Sequence, residues 1–147
     1  MPIGQKVIKS FKASLDDLYP MLGLIKSYAE SMGFEEKELS HIELAAEEAL
    51  VNIIEYAYLD KDDGVIEIFL SGRNNEEFRM QFTDEGIPFN PLSNSKKFRV
   101  KSFKTNPTIG GYGTYFIIEL MDRVEYERRG NANILTLIKA KRLPGRT

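Results

Sequence analysis

Several residue types are absent from this chain of 147 residues, and each absence excludes a class of site. Without cysteine there can be no disulfide, thiolate metal site or cysteine nucleophile. His41 is the only histidine, which excludes a multi-histidine metal site and leaves any Ser-His-Asp triad dependent on that residue. No apolar run approaches the ~18 residues of a membrane span, and the N-terminal segment lacks an apolar leader region. We therefore expect a cytoplasmic protein with no membrane partner.

The charge of the chain is nearly balanced. Lys and Arg number 20 against 22 Asp and Glu, for a formal net charge of −2, which argues against direct nucleic-acid binding. Hydrophobic residues make up 42% and charged residues 29%, as in ordinary folded proteins. A chain of this length can bury a core of its own without disulfides. We therefore predict one domain over residues 1–147.

Hydrophobic periodicity predicts a strand, two helices, two strands, a long loop, a helix and two final strands. The first helix follows Ser14 and Asp17, which resemble a capping box, and ends near Gly33. The last two strands flank a turn in the segment GNAN. Because strands follow one another directly as hairpins, we predict an α+β two-layer sandwich. Its mixed, mostly antiparallel sheet carries the helices on one face.

A polar pair, Glu48 and Asn52, lies on the second and longest predicted helix, opposite an apolar stripe. The two residues are one turn apart, so their side chains project from the same side and could share a ligand. The alternative is an ordinary solvated helix face. On periodicity alone, that alternative has the greater weight.

Two glycine-containing segments lie further along the chain. In TDEGIPFNP, residues 83–91, Asp84 ends a predicted strand and Gly86 allows the backbone to turn close to a ligand. The alternative there is a plain Asp-x-Gly turn. In GGYGTYF, residues 110–116, a glycine cluster opens a helix, an arrangement that can bind phosphates through backbone N–H groups. It matches neither a P-loop nor a Rossmann motif, and a flexible hinge is the alternative.

Apolar periodicity fails between Glu85 and Gly113, a stretch longer than most connections in compact domains. Within it, the segment KKFRVKSFK, residues 96–104, carries five basic residues and no acidic one. Such a run is usually a solvated surface. Over a bound nucleotide it would instead neutralise phosphate charge.

The order of these motifs resembles the ATP-binding domain shared by gyrase, the Hsp90 chaperone, histidine kinases and the MutL repair protein. Within that superfamily the chain is most similar to the anti-sigma factors that are also serine-protein kinases, the switch kinases of bacterial partner-switching systems. The segments EEALVNIIEYAY, DEGIPFNP and GGYGTYFIIELMDRVEYER carry the resemblance, which covers nearly the whole chain. It implies a Bergerat-type fold, with a lid over about residues 90–110, and ATP with Mg²⁺ as ligands.

The resemblance also implies roles for individual residues. Glu48 becomes the candidate general base, and Asn52 the magnesium ligand. Asp84 would bind the adenine amine, and Gly86 would allow the base to approach closely. Thr136, on a late strand, would contact adenine through water.

The glycine cluster of GGYGTYF, called the second glycine box below, would surround the phosphates with Gly111, Tyr112, Gly113 and Thr114. Related kinases commonly have small aliphatic residues at the second and fourth of these positions, so this chain departs from the pattern. It also has Tyr56 where a histidine is frequent. The departures motivate a second hypothesis, an ATP-binding module that sequesters a partner without phosphoryl transfer.

His41 superficially resembles a sensor-kinase phosphoacceptor. It lies in the same predicted helix as Asn52, whereas sensor kinases keep their acceptor on a separate helix pair. We therefore interpret it as an ordinary helix-surface histidine.

The first hypothesis is an ATP-dependent protein serine kinase, a transferase of the anti-sigma type. The resemblance implies phosphorylation of a serine on an anti-sigma-factor antagonist protein, binding of a sigma factor and thereby transcription regulation, and a homodimer.

Overall fold

The computed structural model describes residues 5–58, 63–73, 76–92 and 116–141. Its strands form one sheet in the order β1-β2-β3-β5-β4, and each neighbouring pair is antiparallel. The helices cover one face of this sheet, which confirms the predicted α+β two-layer sandwich. The strand bounds are β1 Val7–Lys12, β2 Val65–Arg73, β3 Glu77–Asp84, β4 Arg123–Arg129 and β5 Ala132–Ala140.

The two long helices precede β2 in the chain. A short 3-10 turn, Leu15–Asp17, leads into α1, Leu18–Ser31, and α2 spans Glu36–Asn52. A π-helical turn, Ile53–Ala57, continues α2 without a break, and residues 116–120 are helical and are labelled α3. His41 lies on α2 together with Asn52, as predicted. None of the described helices combines the length and the apolar character that a membrane crossing requires.

The core lies between this helical layer and the inner face of the sheet. Along β2 and β3 every second residue is buried, as expected for strands with one covered face. Six inward side chains from these strands have no exposed surface: Ile66, Ile68, Leu70, Phe78, Met80 and Phe82. Tyr28 of α1 stacks on Phe78 with ring centroids 5.4 Å apart, which joins the two layers at the end of the sheet away from Asp84.

The capping box predicted at Ser14 and Asp17 is wrong. The Ser14 side chain makes no capping hydrogen bond, and the Asp17 carboxylate instead accepts one from the backbone N–H of Lys12 at 3.1 Å. A capping box does form at the start of α2, where the backbone N–H of Glu35 donates to Glu38 Oε1 at 3.4 Å. A glutamate in the N-cap position is outside the usual Ser/Thr pattern, which explains why sequence inspection missed it.

Gly33 follows the end of α1, as predicted, with a φ of 87°. This left-handed conformation is unfavourable for residues that carry a Cβ atom. The last turn is also held from outside, because the Lys141 ammonium donates to the carbonyl of Met32 at 2.9 Å. The end of α1 is thereby fixed against the end of the sheet.

The turn between β4 and β5 is tighter than predicted. Gly130, with a φ of 62°, and Asn131 make a two-residue connection, so Ala132 and Asn133 belong to β5. Positive φ at the first turn residue is typical of such hairpins. Asn133 therefore lies within β5, where it pairs directly with Asp84 of β3.

Some sequence predictions fall outside the described residues. They are the lid beyond residue 92, with its basic segment at 96–104, and the second glycine box, Gly111 to Thr114. Their roles stay predictions.

Two glycines of the helical layer give a matched test of this fold. Gly23 lies in the exposed face of α1, and a Cβ atom added there would have nothing within 4 Å, so Gly23→Ala should stabilise the fold by roughly 0.5–1 kcal/mol. Gly33→Ala should destabilise it by about 1–2 kcal/mol, because alanine is strained at positive φ. Urea unfolding of both variants measures the difference. Free-energy changes of the same sign in the two variants would contradict the assigned conformation of Gly33.

Candidate functional site

A pocket opens between the C-terminal end of α2 and the edge where β3 ends and β5 begins. The lining residues surround about 300 Å³ of space that includes open solvent, and the enclosed part is about 10 Å³, the room of a single water molecule. Asn52 and Asp84, which the sequence analysis selected independently, lie on its two sides. Its described lining consists of Ala49, Asn52, Ile53, Asp84, Phe89, Pro91, Tyr126, Asn133 and Leu135.

Asn52 is the last residue of α2 and is only 2% exposed. Neither its Oδ1 nor its Nδ2 has a hydrogen-bond partner among the described residues. A buried amide without partners costs about 1–3 kcal/mol, so such groups are rare unless a ligand or water completes them. The solvated helix face considered for this residue is therefore excluded. Asn52 has the environment of a binding residue.

An amide oxygen is a hard ligand of the kind that Mg²⁺ accepts. The described residues contain no cluster of three or more His, Cys, Asp or Glu side chains suited to a metal ion. A cation beside Asn52 would thus take its other ligands mainly from water and from a bound anion, as Mg²⁺ commonly does at nucleotide sites. The donor set fits a nucleotide-bound Mg²⁺.

Glu48 lies one turn before Asn52 on α2 and is partly buried. It does not line the pocket itself. Burial raises the pKa of its carboxyl group, and the negative charges of Glu47 and Glu55 raise it further. A carboxylate with a raised pKa holds a proton more readily, which suits a general base.

Asp84 ends β3 and is 3% exposed. Its Oδ1 accepts hydrogen bonds from the backbone N–H of Gly86 and from Asn133 Nδ2, both at 2.9 Å. Both bonds known within the described residues end on Oδ1, so Oδ2 is available to a donor in the pocket. Burial raises the pKa of Asp84, while the bonds from Asn133 and Gly86 and the Arg128 cation oppose the rise. The plain turn considered for this motif forms, but it does so inside a pocket.

Gly86 lies against protein backbone. A Cβ atom at this position would be 2.1 Å from the carbonyl oxygen of Ala57, so no other residue fits without movement of the chain. The next residue, Ile87, donates its N–H to the same carbonyl at 2.9 Å. Arg128 of β4 donates to the Gly86 carbonyl at 2.8 Å. The sequence predicts that this glycine lets a base approach closely, and in the structure the end of the helical layer approaches it.

The π-helical turn brings two tyrosines to the segment after β3. The Tyr58 hydroxyl donates to the Val65 carbonyl at 2.6 Å and accepts from the Glu85 N–H at 2.7 Å. The Tyr56 ring stacks on Phe89, a pocket residue, with centroids 5.7 Å apart. π-helical turns occur frequently at functional sites. Here the turn holds residues 85–89, the segment after β3, against the end of α2.

Thr136 is not brought to the pocket. Its hydroxyl accepts a hydrogen bond from Gln81 Nε2 at 3.2 Å, on the sheet face opposite the helices. Because side chains alternate along a strand, Asn133 and Leu135 point to the pocket and Thr136 points away from it. Sequence reasoning missed Asn133. The signal that could have revealed it was Gly130, whose tight turn sets the register.

Known proteins resemble this chain in sequence and in fold. The family model of the histidine kinase-like ATPase domain matches residues 11–139. Serine-protein kinase RsbW of Bacillus cereus (strain B4264) is 30% identical over 102 residues, which cover 66% of this chain and 61% of RsbW. The matched part is thus less than two thirds of that relative's length. The match to RsbW confirms the resemblance to switch kinases that the sequence motifs indicate.

Solved structures share the fold. The RsbU and RsbW domains of Rv1364c from Mycobacterium tuberculosis superpose with a TM-score of 0.68 at 13% identity, covering 97% of this chain and 34% of that one. The histidine kinase domain of the blue-light activated kinase of Erythrobacter litoralis EL346 gives a TM-score of 0.55 at 19% identity, covering 84% and 61%. At these identities the likeness concerns the fold alone. Since the family model matches nearly the whole sequence, the chain belongs to the histidine kinase-like ATPase family.

Proposed function

We propose that this chain binds ATP with Mg²⁺ and transfers the γ-phosphoryl group to a serine of a partner protein. The observation that carries the proposal is the buried amide of Asn52, which has no hydrogen-bond partner among the described residues. It lines the same pocket as Asp84 and follows Glu48 by one helical turn. Each residue suits a different part of the same reaction. Membership in the family supports ATP as the ligand. The positions of Asn52, Asp84 and Glu48 suggest a separate role for each of them.

The adenine end of the nucleotide would lie at Asp84. An ionised carboxylate only accepts hydrogen bonds, and the exocyclic amine of adenine donates them. Phe89 and Leu135 supply apolar surface beside Asp84, as expected for a site that holds a flat base. Guanine presents a carbonyl oxygen in place of this amine, so the carboxylate would repel it.

The phosphate end would lie at Asn52. Its side chain would hold Mg²⁺, which neutralises phosphate charge when bound. Gly111, Tyr112, Gly113 and Thr114 would add backbone N–H groups, and a basic residue of the lid would add charge. This assignment rests on the resemblance for the glycine box and on the orphaned amide for Asn52.

Glu48 would act as general base. The serine hydroxyl transfers its proton to the Glu48 carboxylate as its oxygen bonds to the γ-phosphorus, and the bond to the β,γ-bridging oxygen breaks to release ADP. The raised pKa of Glu48 favours this proton transfer near neutral pH. The partial burial of Glu48 also limits the water that would compete with the serine.

The partners in this proposal follow the similarity to RsbW, whose name describes a serine-protein kinase. The phosphoryl acceptor would be an anti-sigma-factor antagonist, and a sigma factor would be the protein held in check. The chain would act in the cytoplasm as a homodimer. Tyr112 and Thr114 favour a second candidate, a module that binds ATP and sequesters its partner without transfer.

Asp84→Asn separates the binding role of Asp84 from a structural one. The asparagine can still accept at Oδ1 from Gly86 and Asn133 but presents an amide N–H₂ group to adenine. We expect ATP affinity to fall about 10- to 100-fold, as for a lost hydrogen bond to a charged group. Isothermal titration measures it, with GTP as the control nucleotide. Equal wild-type affinities for ATP and GTP would contradict the adenine contact.

Stability should change in the opposite direction. Because folding raises the pKa of Asp84, the wild type loses stability as pH rises through the folded-state pKa. The neutral asparagine has no such loss, so Asp84→Asn should equal or exceed wild type in unfolding free energy at pH 7. The difference in unfolding free energy between Asp84→Asn and wild type should shrink in acid, below the pKa that Asp84 has in the unfolded chain. A marked loss of stability at pH 7 would assign Asp84 a structural role.

Glu48→Gln tests the kinase reaction. Glutamine keeps the size of the side chain but cannot take up the serine proton, so transfer should fall by about 10²–10⁴ while ATP affinity stays nearly unchanged. The measurement is labelled-phosphate transfer from ATP to the partner protein recovered by co-purification, beside a binding assay on the same variants. Transfer by Glu48→Gln at the wild-type rate would refute the base assignment.

Asn52→Ala provides the contrasting variant. It should lose Mg²⁺-dependent ATP binding and transfer together, because it removes the proposed ligand to the metal. It should also remain folded, since it deletes a buried amide that has no partner among the described residues. A wild type that binds ATP but transfers nothing to its co-purified partner would favour the sequestering module over the kinase.

A further inference from the structure

The side-chain amide of Asn133 uses all of its hydrogen-bonding capacity inside the pocket wall. Its Nδ2 donates to Asp84 Oδ1 at 2.9 Å and to the Ile87 carbonyl at 2.8 Å. Its Oδ1 accepts from the Phe89 N–H at 3.2 Å and from the Tyr126 hydroxyl. The residue is 3% exposed, so water contributes little to this network. An amide with two donated and two accepted bonds is fully satisfied.

The backbone fixes the direction of this amide. A main-chain N–H can only donate and a main-chain carbonyl can only accept, so Phe89 must face Oδ1 and Ile87 must face Nδ2. The Tyr126 hydroxyl must then donate, because Oδ1 has no hydrogen. Nδ2 is consequently held towards Asp84.

The same network fixes the carboxylate of Asp84. With Oδ1 engaged by Asn133 and by the Gly86 N–H, the carboxylate cannot rotate without breaking two hydrogen bonds. Its other oxygen, Oδ2, therefore keeps one position relative to the pocket. Asn133 also holds both Ile87 and Phe89, so the pocket wall and the carboxylate move as one unit.

We propose that Asn133 and Tyr126 are positioning residues that make the pocket selective for adenine over guanine. The proposal rests on the nucleotide site described above and deepens it by naming what sets its specificity. A carboxylate in one orientation accepts from the adenine amine and opposes the guanine carbonyl at the same place. A carboxylate that is free to turn binds the adenine amine less tightly and repels the guanine carbonyl less strongly.

The test compares ATP and GTP affinity in variants of the full chain. Asn133→Leu keeps the approximate size of the side chain but removes the donor that Asp84 requires, and Tyr126→Phe keeps the ring and removes only the hydroxyl. We expect ATP affinity to fall at least tenfold in Asn133→Leu and by a smaller factor in Tyr126→Phe. The ratio of ATP to GTP affinity should fall with it in both variants. A role in folding alone would weaken both nucleotides equally and leave this ratio unchanged.

Gln81→Leu is the matched control. It removes a side-chain hydrogen bond, to Thr136, from the same pair of strands but on the opposite face of the sheet. Its nucleotide ratio should equal that of wild type, and its unfolding free energy shows the effect of a lost sheet hydrogen bond. Tyr126→Phe should remain folded, because β4 is an edge strand and the ring is retained. It therefore tests the proposal even if the Asn133 variant fails to fold.

Two results would overturn the proposal in different ways. If wild type prefers ATP and both variants retain the wild-type ratio, Asn133 and Tyr126 do not set specificity, while the nucleotide site itself stands. If wild type binds neither nucleotide, the proposed function fails and this inference fails with it.

Discussion

The site depends on one backbone contact, the approach of the Gly86 segment to the carbonyl of Ala57. The Ile87 N–H donates to that carbonyl at 2.9 Å, and the absence of a Cβ atom at Gly86 makes the distance attainable. The contact joins the end of the helical layer to the end of β3. It thereby places Asn52 and Asp84, which come from different layers, on the same pocket. Tyr58 and Arg128 reinforce the junction from either side.

The polar groups in the pocket and one helical turn from it are those that the fold gains least from burying. The Asn52 amide is buried without partners among the described residues, and burial opposes the ionised forms of Asp84 and Glu48. A site arranged in this way gives up stability in favour of a ligand that completes it. The apolar core between α1, α2 and the strands offsets this loss, since its largest side chains are fully buried.

Most of the fold and two residues of the described pocket, Asn52 and Asp84, could be predicted from the sequence. Periodicity located the helices and strands, and the glycine after Asp84 located the strand end. Asn133 could not be found in the same way, because its role depends on strand register. A hairpin turn longer by one residue would have turned Asn133 to the other face of the sheet. Thr136 depends on register in the same way. It lies three positions after Asn133 on β5, so its side chain points to the opposite face of the sheet. The Glu35 cap was missed because it forms with an uncommon residue type.

The π-helical turn at Ile53–Ala57 has a consequence for how this segment tolerates changes of length. A π-helical turn contains one residue more than the corresponding α-helical turn. Because the wider turn takes up this residue, deleting one residue there would give a regular α-helical turn and would leave the residues beyond it in nearly the same orientation. Deleting a residue from the α-helical part of α2 would instead rotate everything beyond the deletion by about 100° about the helix axis. Such a deletion would turn Tyr58 and the Ala57 carbonyl away from the strand end, so relatives should gain or lose a residue in the π-helical turn more readily than in the rest of the helix.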